Sequence, residues 1–217
     1  GAMAILPLLI LAASLTTDVA AATCESVKAL TLPDTTILSA ELVAEGPFTP
    51  PPTPTVQNPR PINLPAACRV SGRVSPAVNF EVWMPASGWN GKFQAVGGGG
   101  FAGVISYGAM ATALRGGYAT ASTDTGHSTP GGAWALGRPD LITDFAYRAI
   151  HEMTVKSKAI VEAFYGNAAR KSYFVGCSTG GRQGLMEAQR FAADYDGIVA
   201  GAPANYWTHL MAGSLWP

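Results

Sequence analysis

The chain has 217 residues, with 14 Lys and Arg against 14 Asp and Glu, 48% hydrophobic residues and 13% charged ones. Zero net charge and the lack of a basic run exclude a protein that binds nucleic acid by neutralising phosphates. Five Trp, seven Tyr and eight Phe exclude intrinsic disorder, while 25 Gly and 16 Pro exclude a plain helical bundle. The length suits one domain, or one and a half, with a substantial core.

Residues 4–15 are an apolar run broken only by Pro7 and Ser14, followed by the small residues Ala20, Ala21 and Ala22. That pattern reads as a signal peptide over residues 1–22, because a spanning helix needs about 20 apolar residues. No Lys or Arg precedes Lys28, so the usual basic start is missing, and a buried N-terminal helix is the competing reading. No membrane association beyond such a leader is expected. A cysteine just after the cleavage point suits an oxidising compartment and a Cys24–Cys68 bridge. Cys177, the third and last cysteine, reads either as a buried free thiol or as one whose partner lies beyond Pro217.

Eight of the sixteen prolines fall within residues 47–65. Proline donates no ladder hydrogen bond, so this segment is expected as an extended surface loop inside one domain spanning residues 23–217. Beyond it, residues 78–84 alternate apolar and polar, as a half-buried strand does. Residues 92–96 predict a second strand, running into Gly97-Gly98-Gly99-Gly100. Residues 118–122 predict a third, running into Asp124-Thr125-Gly126-His127. Phe145, Ile150, Val155, Ile160 and Val161 recur at helical spacing over 143–164, with a stop at Gly166. Residues 172–176 and 198–200 are short apolar strands. Between them 181–193 predicts a helix, with Leu185, Met186 and Phe191 facing inward. Strand, helix, strand with short links implies a parallel sheet covered by helices, an α/β fold.

Gly176, Ser178 and Gly180 form G-x-S-x-G directly after a strand and before a helix. The spacing has a physical reason. The strand must reverse sharply into the helix, and only small flanking residues relieve the crowding. Ser178 then projects at the sheet's C-terminal edge, where the helix N-terminus offers free N–H groups and a positive dipole. The plain alternative is a turn whose serine caps the helix. The glycine run 97–100 alone fits a flexible turn, and beside G-x-S-x-G it fits a backbone oxyanion donor; it lacks the G-K-[ST] of a phosphate loop. The base is not evident. Such hydrolases place Asp then His after the serine, but only His209 follows Ser178, close behind Asp194 and Asp196. His127 fits the rim of a site or a turn, and His151 a helix surface or packing position. No His or Cys spacing typical of a metal site occurs.

At Gly176-Cys177-Ser178-Thr179-Gly180-Gly181-Arg182-Gln183-Gly184 the chain resembles the tannase and feruloyl esterase family. Similarity also runs through 96–103, 122–127, 144–151 and 196–203. The resemblance implies an α/β-hydrolase-like, mostly parallel sheet with flanking helices. It implies a secreted or periplasmic serine carboxylesterase acting on small aromatic esters, galloyl or hydroxycinnamoyl. Ser178 would be the nucleophile, with the N–H of Thr179 and that of Gly98 or Gly99 as oxyanion donors. Cys24–Cys68 matches a family disulfide. Cys177 would be half of another, whose partner follows the catalytic histidine. The family's lid, its calcium site, the last strands and the catalytic Asp and His have no counterpart before Pro217. An N-terminal, inactive part of such an enzyme without cofactor is therefore expected, the alternative being a non-catalytic remnant that binds aromatic ligands.

Overall fold

A computed structural model describes residues 22–54 and 56–215. The run 4–15 read as a leader lies outside them. A short 3-10 turn, Glu25–Ala29, leads into β1 (Thr35–Val43). The proline-rich region follows, bounded by β2 (Gly46–Phe48) and β3 (Ile62–Leu64). Those two strands pair with each other as an antiparallel ribbon. The expected loop over 47–65 is therefore closed at its base by strand pairing. Next come β4 (Ala67–Val74), β5 (Val78–Pro85), β6 (Lys92–Val96), α1 (Tyr107–Arg115) and β7 (Ala119–Thr123). The chain continues through α2 (Pro139–Thr143), α3 (Ala149–Tyr165), β8 (Lys171–Cys177), α4 (Thr179–Arg190), β9 (Gly197–Gly201) and α5 (Trp207–Leu215).

Seven strands form one sheet in the order β1-β4-β5-β7-β6-β8-β9. The β7, β6, β8 and β9 strands are parallel, joined through helices as the sequence pattern predicts. The β1, β4 and β5 strands extend the sheet antiparallel. In β4, Gly72 lies opposite Phe80. A Cβ on Gly72 would come within 2.6 Å of the Phe80 ring, so the ring occupies the space that the missing side chain leaves.

The β5 strand corrects its reading as half-buried. Phe80, Val82 and Met84 join Ile150, Met153 and Ile160 of α3 in one core, while Trp83 packs with Met110 and Leu114 of α1 in the other. Both faces are covered. Each such buried side chain contributes roughly 1.5–3 kcal/mol. The polar member, Glu81, is 4% exposed and survives because its partners are complete. Arg69 donates to both of its oxygens, at 2.9 and 2.6 Å, Trp83 Nε1 donates at 2.8 Å and Tyr107 Oη at 3.0 Å.

The helix expected over 143–164 is interrupted at its start. Asp144–Arg148 makes one π-helical turn between α2 and α3. The regular part of α3 then runs to Tyr165 and stops at Gly166 (φ 70°), as expected. A second correction concerns α4. Leu185 is 38% exposed, and Met186 and Phe191 are only half-buried. The buried face is instead Gly180, Gly181, Arg182, Gln183, Gly184 and Glu187. The cause is steric. A Cβ on Gly181 would lie 2.3 Å from the Gly201 carbonyl oxygen, and one on Gly184 3.0 Å from Ile198. The helix sits too close to the sheet for Leu or Phe to point inward. No helix of the described residues is long and apolar enough to cross a membrane.

Cys24 and Cys68 form a disulfide across 44 residues, with Cα atoms 5.4 Å apart. A loop of that length implies about 4 kcal/mol of stabilisation through the unfolded chain. The Cys24→Ala/Cys68→Ala variant should therefore melt about 10 °C lower, measured by circular dichroism. Gly181→Ala should cost about 3 kcal/mol or more in urea denaturation, because backbone on the sheet side cannot retreat. Gly108→Ala, on the exposed side of α1 with nothing within 4 Å of the new Cβ, should be neutral or slightly stabilising.

Candidate active site

The site is built where β8 turns into α4. Gly176 lies so close to the first turn of α4 that a Cβ there would be 2.4 Å from the Gly180 carbonyl group. Ser178, between them, is held at φ 59° and ψ −120°, a region that costs a non-glycine residue about 1–3 kcal/mol. Three backbone hydrogen bonds hold it there. Ser178 N–H donates to Gly201 O at 3.0 Å, and Ser178 O accepts from Arg182 and Ala204, both at 3.0 Å. Its side chain is exposed and, among the described residues, makes no hydrogen bond. The strand forces the serine outward at the start of a helix whose first N–H groups lack helical partners.

The glycine loop is brought against this turn. A Cβ on Gly97 would meet Gly180 Cα at 2.6 Å, and one on Gly180 would meet Gly98 O at 3.0 Å. Three side-chain contacts fix the loop, two of them from Ser106 and Gln183, to which the sequence reading assigned no role. Ser106 Oγ donates to Gly97 O at 2.9 Å, and Gly98 N–H donates to Gln183 Oε1 at 3.0 Å. Thr179 Oγ1 donates to Gly100 O at 2.5 Å. Gln183 thus engages Gly98, one of the two glycines considered as oxyanion donors. Gly99 N–H makes no hydrogen bond among the described residues and faces no such competition. Beyond its place in the segment 176–184, the sequence signal for Gln183 is its helical spacing of four from Thr179.

The three imidazoles are all committed elsewhere. His127 Nε2 lies 2.7 Å from Phe101 O, and a carbonyl can only accept, so that nitrogen carries the proton. Burial pushes this imidazole below its ordinary value, and its ring stacks on Trp134 at 3.9 Å. His151 Nδ1 bonds Asp194 Oδ2 at 2.7 Å. His209 is exposed on α5. None hydrogen-bonds Ser178. Asp124 likewise serves its own turn, accepting from Asn79 and Gly126 N–H. Cys177 is an exposed free thiol, which sets aside the buried reading.

An aromatic wall adjoins the glycine loop. Phe101 meets Trp207 at 5.5 Å, Trp207 meets Phe145 at 5.4 Å, and Phe145 meets Trp134 at 5.3 Å between ring centroids. Arg182 lies behind it with its guanidinium 4.6 Å from the Phe145 ring centre and 5.5 Å from that of Trp207. It donates to the carbonyls of Phe145 and Ala146, both at 3.0 Å, in the π turn. No carboxylate pairs with it among the described residues, and burial pushes it down to about 10. Beside this wall is a cleft of about 310 Å³ lined by Phe145, Arg182, Met186 and Trp207. A larger one of about 820 Å³, beside Asn63, Pro85 and Arg115, includes neither Ser178 nor the glycine loop.

An exposed, strained serine on a helix N-terminus, beside a glycine loop with a free N–H, is the geometry of acyl transfer. Comparison with known proteins agrees. The family described as "Tannase and feruloyl esterase" matches residues 63–216. An uncharacterized esterase of Xanthomonas campestris pv. campestris is 44% identical over 210 residues, covering 94% of this chain and 36% of that protein. The crystal structure of an esterase from Aspergillus oryzae superposes with a TM-score of 0.82 at 31% identity, covering 88% of this chain and 40% of the other. That of feruloyl esterase B from Aspergillus oryzae gives 0.77 at 37% identity, covering 83% and 37%. The chain thus spans between a third and two fifths of the length of these relatives, with the same α/β-hydrolase-like sheet. It belongs to the tannase and feruloyl esterase family.

Proposed function

We propose that Ser178 is the nucleophile of a carboxylic ester hydrolase acting on small aromatic esters, of the hydroxycinnamoyl or galloyl type. The single observation that carries this reading is the backbone of Ser178, strained and packed glycine to glycine against the 97–100 loop. Strain of this kind is retained where it positions a reacting atom. The Phe101, Trp207, Phe145 and Trp134 rings support an aromatic acyl group, since a flat ring gains from edge and face contacts with such a wall. The Cys24–Cys68 disulfide supports a secreted or periplasmic setting.

In the reaction, Ser178 Oγ attacks the ester carbonyl carbon while its proton passes to a general base. The carbonyl oxygen takes up the negative charge and is held by the N–H groups of Gly99 and Thr179. Collapse of the tetrahedral intermediate expels the alcohol, which regains a proton from the base. Water then attacks the acyl-serine and releases the aromatic acid. The base and its orienting carboxylate come, in this proposal, from residues outside these 217, because His127, His151 and His209 are each bonded or placed elsewhere. Without a base the hydroxyl stays protonated and a weak nucleophile.

The chain of 217 residues should accordingly hydrolyse methyl ferulate and methyl gallate no faster than about 10³–10⁴-fold over water. Ser178→Ala should change that rate little. In a longer protein that supplies the base, the same substitution should remove about 10⁴-fold or more of kcat. Steady-state assays of the four preparations check both statements. Serine-dependent turnover at ordinary esterase rates in the 217-residue chain would sink the proposal that the base is external.

A further inference from the structure

At the end of α4 away from Ser178, three side chains distant in sequence converge. Glu187 of α4 is fully buried, yet among the described residues no donor group reaches either carboxylate oxygen, and its polar neighbour is the Asp194 carboxylate. Asp194, in the turn after α4, bonds His151 Nδ1 of α3 at 2.7 Å. One potential ligand atom from each of His151, Glu187 and Asp194 lies within 4.8 Å of the other two. The imidazole plane is fixed by stacking on Phe191 at 3.8 Å and 11°. Lys158 Nζ is turned to the Asp194 carbonyl, and no Lys or Arg among the described residues makes an ion pair with Glu187.

A buried carboxylate with no donor is too costly to remain charged and alone. A second carboxylate beside it adds repulsion. A proton shared with Asp194 or a cation between the two carboxylates would relieve this, and the third member favours the cation: it is an imidazole, a ligand suited to first-row transition metals and poorly suited to Ca²⁺ or Mg²⁺. We propose that His151, Glu187 and Asp194 form a Zn²⁺ site with one nitrogen and two oxygen ligands and water in the fourth position. Zinc holds such ligands at about 2.0–2.2 Å, so small side-chain rotations close the present spacing. Binding displaces the proton between His151 and Asp194 into solvent. The partly exposed side chains of His151 (30%) and Asp194 (14%) provide the entry. Glu187 is nine residues along α4 from Ser178, roughly 13 Å at helical rise. The ion would fasten α3 to α4 and take no part in ester chemistry. No local motif announces it, because His151 and Asp194 are 43 positions apart.

The test is a titration of the EDTA-stripped protein with Zn²⁺ at neutral pH by calorimetry, with Co²⁺ as a visible-spectrum probe. One saturable site is expected, with Kd on the order of micromolar or below. Zinc at a hundredfold excess over Kd should raise Tm by about 5 °C or more. His151→Gln and Asp194→Asn, each checked by circular dichroism for a native fold, should each weaken binding about 100-fold. Glu187→Gln should abolish the zinc-dependent rise in Tm, and His209→Ala should leave it intact. Absence of saturable uptake would overturn the site, as would uptake unchanged in His151→Gln and Asp194→Asn. If zinc has no effect and Glu187→Gln melts like the parent, the occupant is a shared proton and the proposal fails.

Discussion

The candidate site depends on one steric constraint, the contact of backbone with backbone where β8 enters α4. Gly176 lies so close to Gly180 that it could not carry a side chain without moving the strand or the helix, and a Cβ on Gly180 would crowd Gly97 and Gly98. That contact twists Ser178 into its unfavourable conformation and aims its hydroxyl away from the sheet. It also brings the helix N-terminus against Gly97 and Gly98, so the loop and the turn become one surface. Gln183 and Thr179 then fix the loop with hydrogen bonds one helical turn apart. Orientation of this kind needs no rearrangement when charge develops on a substrate oxygen.

Local patterns carried much of the architecture. The strands at β5, β6, β8 and β9 and the end of α3 at Gly166 follow from alternation, apolar runs and a C-terminal glycine. The parallel half of the sheet follows from their order. The β1 and β4 strands are less legible. Their polar and small residues, such as Ser39, Glu41, Arg69 and Ser71, suppress the apolar alternation, and pairing across the sheet stabilises them instead. The orientation of α4 departs from the hydrophobic pattern for a related reason. Hydrophobicity alone turns Leu185 and Phe191 inward, but the short distance to β9 admits only glycine at the contact. Periodicity ranks side chains by affinity for the core, and says nothing of how near two elements must come.

The same limit applies to the site. G-x-S-x-G and the glycine run are contiguous motifs, so both were legible. The clamp by Gln183 is a contact between residues 85 positions apart, and distance in sequence hides it. The polar interior shows how differently buried charges are treated in one fold. Glu81 has a full set of donors, which fits a fixed element of the core. Arg182 is held by carbonyls and ring faces in place of a carboxylate. It braces the π turn against α4, linking two elements that border the aromatic wall.

The disulfide and the proline-rich segment have a joint consequence for survival among proteases. Residues 49–61 carry no regular structure among those described, and many of them are exposed. Exposed irregular loops are where proteolytic nicking concentrates. This loop lies wholly inside the ring closed by Cys24 and Cys68. A single cut within it would open the ring without releasing a fragment. The β1 strand would stay tethered through Cys24 and remain paired along β4. A nicked molecule would thus run as two pieces only after reduction, while its sheet stayed assembled.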